Sequence, residues 1–228
     1  MYNKDEIKLL KKYYPIIGIK VQQFLPERSK DSIDHMVRKL NVKYGLFEDG
    51  EEAYCDIETT NLNADFAFLL SYCFKVKGKN EYYCNKITSK EIRDGILDKR
   101  LCEDFVKDLL RFKKIYTYYG TRFDLPFMRT RALTNKIGFP PYGLIQHMDL
   151  YFLARNKLKL SRNRLDNVCR LLDIEGKTHL NGKIWMMAAT GNEESINYIL
   201  EHNKSDVMIL EKAHEKLKVY ASVTRSSI

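Results

Sequence analysis

Asp56 and Glu58 close a short apolar run, Ala53-Tyr54-Cys55, in the tetrapeptide Asp56-Ile57-Glu58-Thr59. The run reads as a strand, and alternation along a strand sends side chains i and i+2 to the same face. A fold that accepts this segment must therefore tolerate two carboxylates side by side at a strand end. Like charges that close repel unless something positive sits between them, and carboxylate oxygens suit Mg²⁺ or Mn²⁺. Asp-x-Glu is common by chance, so its weight depends on the residues downstream.

From residue 52 onward, Ala53 to Ile57, Phe66 to Val76, Tyr82 to Ile87 and Lys114 to Tyr119 read as strands. The first three are separated by hairpin-sized gaps, with Gly78-Lys79-Asn80 as a turn signal. A helix at Asp94 to Phe112 precedes the fourth strand, and further helices follow at Asp124 to Lys136, Leu165 to Leu172 and Ser195 to Leu217. A short strand runs through Met148 to Leu150. Three strands followed by alternating helix and strand define an α/β domain with a mixed sheet flanked by helices, placed at residues 52–222.

Residues 1–47 read differently, as three short helices. Ile7, Leu10 and Tyr14 mark the first, ended by Pro15. Ile17, Val21, Phe24 and Leu25 mark the second, closed by Pro26. Ser29 caps a third, with Ile33, Val37 and Leu40 inward. Glu48-Asp49-Gly50-Glu51-Glu52 is the linker. This segment holds eight Lys and two Arg against three Asp and two Glu. Lys30, His35, Arg38 and Lys39 fall off the apolar stripe of the third helix, which suits a helix that enters the DNA major groove. The alternatives are a helical cap on the main domain or a protein-binding trihelix.

The whole chain of 228 residues carries a formal net charge of +9, which favours a polyanionic partner, nucleic acid being the commonest. No apolar stretch approaches the ~20 residues of a membrane span. The N-terminus is charged from residue 4 and lacks the apolar segment of a signal peptide, so a cytoplasmic location is expected. No protein partner is predicted. The five cysteines form no C-x-x-C pair, and reduced thiols are expected rather than a zinc site or disulfide framework.

Asp124 follows the turn Tyr118-Tyr119-Gly120-Thr121-Arg122-Phe123 at a strand-to-helix junction, where sites collect in α/β sheets. Taken singly it reads as a helix N-cap. In the last helix, Ile199, Asp206, Leu210 and Leu217 recur at spacings of seven, four and seven, so Asp206 stands in an apolar, inward-facing row. A buried carboxylate costs several kcal/mol unless paired or metal-bound. His202 lies one helical turn before it; a surface His–Asp pair is the alternative for His202. A two-metal site gives Asp56, Glu58, Asp124 and Asp206 a reason to converge, and His202 is the natural proton acceptor near neutral pH.

The order Asp-x-Glu, Phe-Asp, His-x-x-x-Asp resembles the DEDD 3′–5′ exonuclease superfamily, in its His-bearing subgroup, within the ribonuclease H-like fold. The Asp149-Leu150 and Asp206-Val207 segments resemble its small bacterial and phage members. The resemblance implies two Mg²⁺ or Mn²⁺ ions held by Asp56, Glu58, Asp124 and Asp206, His202 as general base, and hydrolysis of nucleotides from a 3′ end. Tyr119 stands where the family often carries an Asn that positions the terminal nucleotide, which bears on substrate handling and not on metal binding. Asp149 is expected to support the site from behind. Lys8-Leu9-Leu10-Lys11-Lys12-Tyr13-Tyr14-Pro15 and the helices after it resemble the Myb-like helix-turn-helix modules that accompany phage-type nucleases, which implies a DNA substrate.

Tyr119 and Arg122 beside the turn, and the run Lys157, Lys159, Arg162 and Arg164, are candidate nucleic-acid contacts; for the run a solvated loop is the alternative. The only tryptophan, Trp185, reads as core or as a base-stacking platform, with Lys177 and Lys183 flanking it. The histidines other than His202, namely His35, His147, His179 and His214, have no ligand-like spacing and are expected to be ordinary. The reading is a metal-dependent 3′–5′ exonuclease acting on DNA. The alternatives are a non-catalytic DNA-binding regulator on a nuclease scaffold, and an RNA-processing or structure-selective nuclease of the same fold.

Overall fold

The computed structural model describes residues 2–42, 50–176 and 181–221. Part of the expected linker, with Lys177 and His179, lies outside the described residues. The chain divides into two compact units, Met1–Glu51 and Glu52–Ile228.

In the first unit, helix α1 (Lys4–Ile17) opens on a capping box in which Asn3 and Glu6 satisfy each other's backbone. It runs past Pro15, which was expected to end it, and stops at Gly18, whose φ of 56° suits glycine. The second segment, Gly18–Phe24, is a 3₁₀ helix and not an α-helix. Ser29 caps α2 (Lys30–Lys39) as expected. Leu10, Val21, Leu25, Ile33 and Val37 form a small buried core, and Arg28 grips Glu6 through two hydrogen bonds of 2.8 and 2.9 Å.

The second unit is built on a five-stranded mixed sheet in the order β3-β2-β1-β4-β5. Its strands are β1 (Glu51–Thr59), β2 (Leu69–Val76), β3 (Tyr82–Lys86), β4 (Phe112–Thr117) and β5 (Gln146–Asp149). Strands β1, β2 and β3 form an antiparallel meander, and β4 pairs parallel with β5. The helices are α3 (Ser89–Arg93), α4 (Lys99–Leu109), α5 (Asp124–Thr134), α6 (Leu150–Lys157), α7 (Leu165–Leu171), α8 (Gly182–Ala189) and α9 (Glu193–Leu217). All of β2 is buried, because α4 covers one face of it and α9 the other. Tyr72, Phe74, Phe105 and Phe112 pack together on the α4 side. On the opposite side Tyr54 and Tyr116 stack, and the Tyr54 hydroxyl meets His214 Nδ1 at 2.7 Å.

Three expectations are corrected. The helix expected from Asp94 to Phe112 is confined to α4, Lys99–Leu109, because the chain turns before it, where Gly95 and Leu97 take φ of 68° and 55°; Phe112 begins β4 instead. Helices α3, α6 and α8 were not anticipated, being five, eight and eight residues long with starts set by local caps. The cysteines are not all reduced: Cys73 and Cys84 are direct cross-strand partners in β2 and β3 and form a disulfide. Spacing in sequence cannot reveal a pairing that depends on strand register.

Asp98 is fully buried, and Arg131 binds its carboxylate through two hydrogen bonds of 2.9 and 2.7 Å. The same carboxylate accepts the Leu69 amide at 2.8 Å, and Arg131 reaches the Ala64 carbonyl at 3.1 Å. This pair ties the loop after β1, the start of β2 and α5 together. Arg131→Ala leaves a buried carboxylate without its cation and is expected to cost about 3–5 kcal/mol; urea unfolding, with the Asp98→Leu/Arg131→Leu double variant losing less than the single, checks it.

Candidate metal centre

The pairing of β1 with β2 sets Asp56 opposite Cys73 and Glu58 opposite Ser71. Directly opposed residues share a face, so both carboxylates project to the side covered by α9, along with Tyr54 and Lys75. The register shifts between Glu58 and Thr59, and such irregularities re-aim side chains at strand ends. Helix α9 starts at its cap Asn192 and runs for 25 residues, turning His202, Asn203, Asp206, Val207 and Leu210 toward the sheet.

His202 Nε2 lies 3.7 Å from Glu58 Oε1 and 3.7 Å from Asp206 Oδ2. The three residues are buried, and one potential ligand atom from each falls within 4.8 Å of the others. The surface-pair alternative for His202 is therefore excluded. Asn203, next on the same helix and fully buried, donates from Nδ2 to Asp56 Oδ2 at 3.0 Å. Asp124 joins through the backbone of Ile57, the residue between Asp56 and Glu58, which hydrogen-bonds its carboxylate. It sits in the first turn of α5 and not at the N-cap, which is Phe123. Burial first, then the charge of Asp149, pushes its carboxyl up to about 7.

Asp149 does not enter the cluster. Its Oδ1 accepts the Tyr119 amide at 2.8 Å and the Tyr151 amide at 3.0 Å, and its Oδ2 accepts the Thr121 amide at 2.9 Å. It thus clamps the turn that carries Asp124. Gly120 is required in that turn, since a Cβ there would overlap the Thr117 side chain. Thr117 Oγ1 in turn meets His147 Nε2 at 2.8 Å, and burial lowers the His147 pKa to about 4, which keeps it neutral.

Beside Glu58, Trp185 donates from Nε1 to the Thr59 carbonyl at 2.7 Å. It walls a cavity of about 360 Å³ with Glu58, Thr59, Leu62 and Phe123, so it is neither plain core nor a free surface ring. Tyr119 and Arg122 are exposed at the turn, and Lys157, Lys159, Arg162 and Arg164 are exposed on and after α6. Lys30, His35, Arg38 and Lys39 are exposed on α2 of the other unit. Sequence reasoning missed Asn203 and the Trp185 anchor. Asn203 had a signal, standing three residues before Asp206 on its helix.

Glu58 and Asp206 bring buried carboxylate oxygens together beside the His202 imidazole, and hard oxygens of this kind suit Mg²⁺ or Mn²⁺. Residues 53–218 match the family model RNase_H_2, described as RNase_H superfamily, and the chain belongs to that superfamily. The membership points to a nuclease with a nucleic-acid substrate, in a fold that usually works with divalent metals. Among solved structures, the chain is similar to the family B DNA polymerase from the hyperthermophilic archaeon Pyrobaculum calidifontis, with a TM-score of 0.59 and 18% identity. The match covers 78% of this chain and 26% of the polymerase, so the chain spans about a quarter of that protein's length. No curated protein matches the chain. Among the described residues, no helix is long and apolar enough to cross a membrane.

Asn203→Ala removes a buried amide that holds Asp56. It is expected to weaken Mn²⁺ binding by roughly 10- to 100-fold and to lower stability by about 1–3 kcal/mol. Calorimetric metal titration and thermal melting measure the two effects separately.

Proposed function

We propose that this protein is a metal-dependent 3′–5′ exonuclease that acts on DNA. The observation that carries the reading is the convergence of Glu58, His202 and Asp206 within 4.8 Å, with Asp56 and Asp124 attached to the same strand end. Asp56, Glu58, Asp124 and Asp206 would hold two divalent cations. When bound, such a pair stabilises the attacking and leaving oxygens of a phosphodiester as a Lewis acid.

The chain's own groups supply the remainder. His202 accepts the proton of the attacking water at Nε2, which faces Glu58 and Asp206. Asn203 fixes the orientation of Asp56, and Asp149 holds the turn that presents Asp124. The cavity walled by Trp185, Leu62 and Phe123 opens beside Glu58 and offers apolar surface to the terminal nucleotide. The preference for DNA rests on the first unit, whose α2 exposes Lys30, His35, Arg38 and Lys39.

Asp56→Ala/Glu58→Ala is expected to abolish Mg²⁺-dependent hydrolysis while leaving the far-ultraviolet circular dichroism unchanged. His202→Ala should retain metal binding and lose about 10²–10⁴-fold in rate. End-labelled single- and double-stranded DNA and RNA, with free or blocked 3′ ends, provide the assay. Cleavage that ignores a 3′ block contradicts the exonuclease reading, and digestion of RNA alone contradicts the DNA reading.

Lys30→Glu/Arg38→Glu/Lys39→Glu should weaken duplex binding uniformly across sequences and flatten its dependence on salt. Fluorescence anisotropy at several salt concentrations measures both. Unchanged affinity and slope would exclude α2 as the DNA-binding element.

A further inference from the structure

A second hollow borders Tyr118 and Tyr119, at the start of the turn that leads to Asp124. It has a volume of about 490 Å³ and is walled by Tyr118, Tyr119, Tyr151, Asn163, Arg164 and Asp166, a size that suits a small flat ligand. The tyrosine rings meet at steep angles: Tyr119 and Tyr151 are 4.7 Å apart at 73°, and Tyr118 and Tyr151 are 5.9 Å apart at 88°. Rings arranged in this way form walls and do not close on one another.

Tyr119 is the informative residue. Its φ is +70°, a conformation that a bulky side chain rarely adopts and that glycine or asparagine takes more easily. Its amide is nevertheless locked there by Asp149, and the residue stays 44% exposed while lining the hollow. Packing does not account for a large aromatic held in this way. On the wall, the Asn163 side-chain oxygen is buried and has no hydrogen-bond partner among the described residues; an amide of this kind can pair with the edge of a base.

The charges sort the ligand. Asp166 on the wall disfavours a phosphate inside, whereas Arg164 and the exposed Lys157, Lys159 and Arg162 place positive charge along the segment leading to the hollow. An uncharged ring inside with phosphates outside describes one nucleotide of a single strand. Asp149 joins the hollow to the candidate centre, since it holds the amides of both Tyr119 and Thr121.

We propose that this hollow seats an unpaired base of the substrate strand, at a nucleotide other than the one being released. The proposal rests on the nuclease reading for the identity of the strand. The test uses the full chain and a labelled single-stranded DNA in which one abasic position is walked back from the 3′ end, with binding read by anisotropy in metal-free buffer. One internal position should weaken wild-type binding by roughly 5- to 150-fold, the range of a single base–aromatic stack. Tyr119→Gly removes the ring while suiting the left-handed backbone, so the protein should melt no lower than wild type, bind the intact strand correspondingly more weakly, and lose its response to that abasic position. Tyr119→Phe should restore both.

Arg164→Glu, at an exposed site, gives a second variant and should reduce affinity with a shallower salt dependence. Equal binding of every internal abasic strand, a Tyr119→Gly protein that binds as wild type does, or displacement of the strand by deoxyadenosine monophosphate at the strand's own affinity would each overturn the proposal. Hydrolysis of thymidine 5′-p-nitrophenyl phosphate by the wild-type protein with Mn²⁺ is followed in parallel. It involves no second base, so its failure speaks against the nuclease reading alone.

Discussion

The pairing register of β1 on β2 is the constraint on which the remainder of the domain depends. With Asp56 opposite Cys73 and Glu58 opposite Ser71, both carboxylates face α9. A slip of one residue would turn them toward the aromatic layer under α4 and put Cys55 and Ile57 in their place. Contacts along α9 hold this register at several levels. Lys75 pairs with Glu211, Asp56 with Asn203, and Tyr54 with His214. A long helix laid along two strands thus serves as both the wall of the core and half of the candidate centre.

Charge compensation divides the domain's acidic groups into two kinds. Asp98 and Glu52 are neutralised by nearby cations, Arg131 and Lys77, and their role is to tie loops and strands together. At the centre, the contacts come instead from an imidazole, an amide and a backbone group. Buried carboxylate oxygens grouped around an imidazole are donors that a divalent cation could take up. Asp149 stands apart from both kinds. Its oxygens are committed to backbone amides, so it shapes the Asp124 turn without adding a ligand.

Much of this was legible in the sequence. Alternation placed Asp56 and Glu58 on one face, and helical spacing placed Asp206 inward with His202 near it, because both periodicities are properties of the local backbone. The α/β architecture followed from the order of strands and helices. What could not be read were features set by tertiary partners. The Cys73–Cys84 pairing depends on register, the late start of the expected Asp94–Phe112 helix at Lys99 on Gly95, Leu97 and the diversion of Asp98 to Arg131, and the support given by Asn203 on α9 lying against β1. Asp124 was legible as a junction residue, but its link to Ile57 emerges only when α5 meets the sheet.

The central claim is that Asp56, Glu58, Asp124 and Asp206 form one centre for two divalent cations. Anomalous scattering from crystals of the protein soaked in Mn²⁺ tests it most directly. The account predicts two peaks about 3.5–4 Å apart, both coordinated by carboxylates of this set. A single peak held by His202 without Asp56 and Asp124, or no peak among these residues, would contradict it.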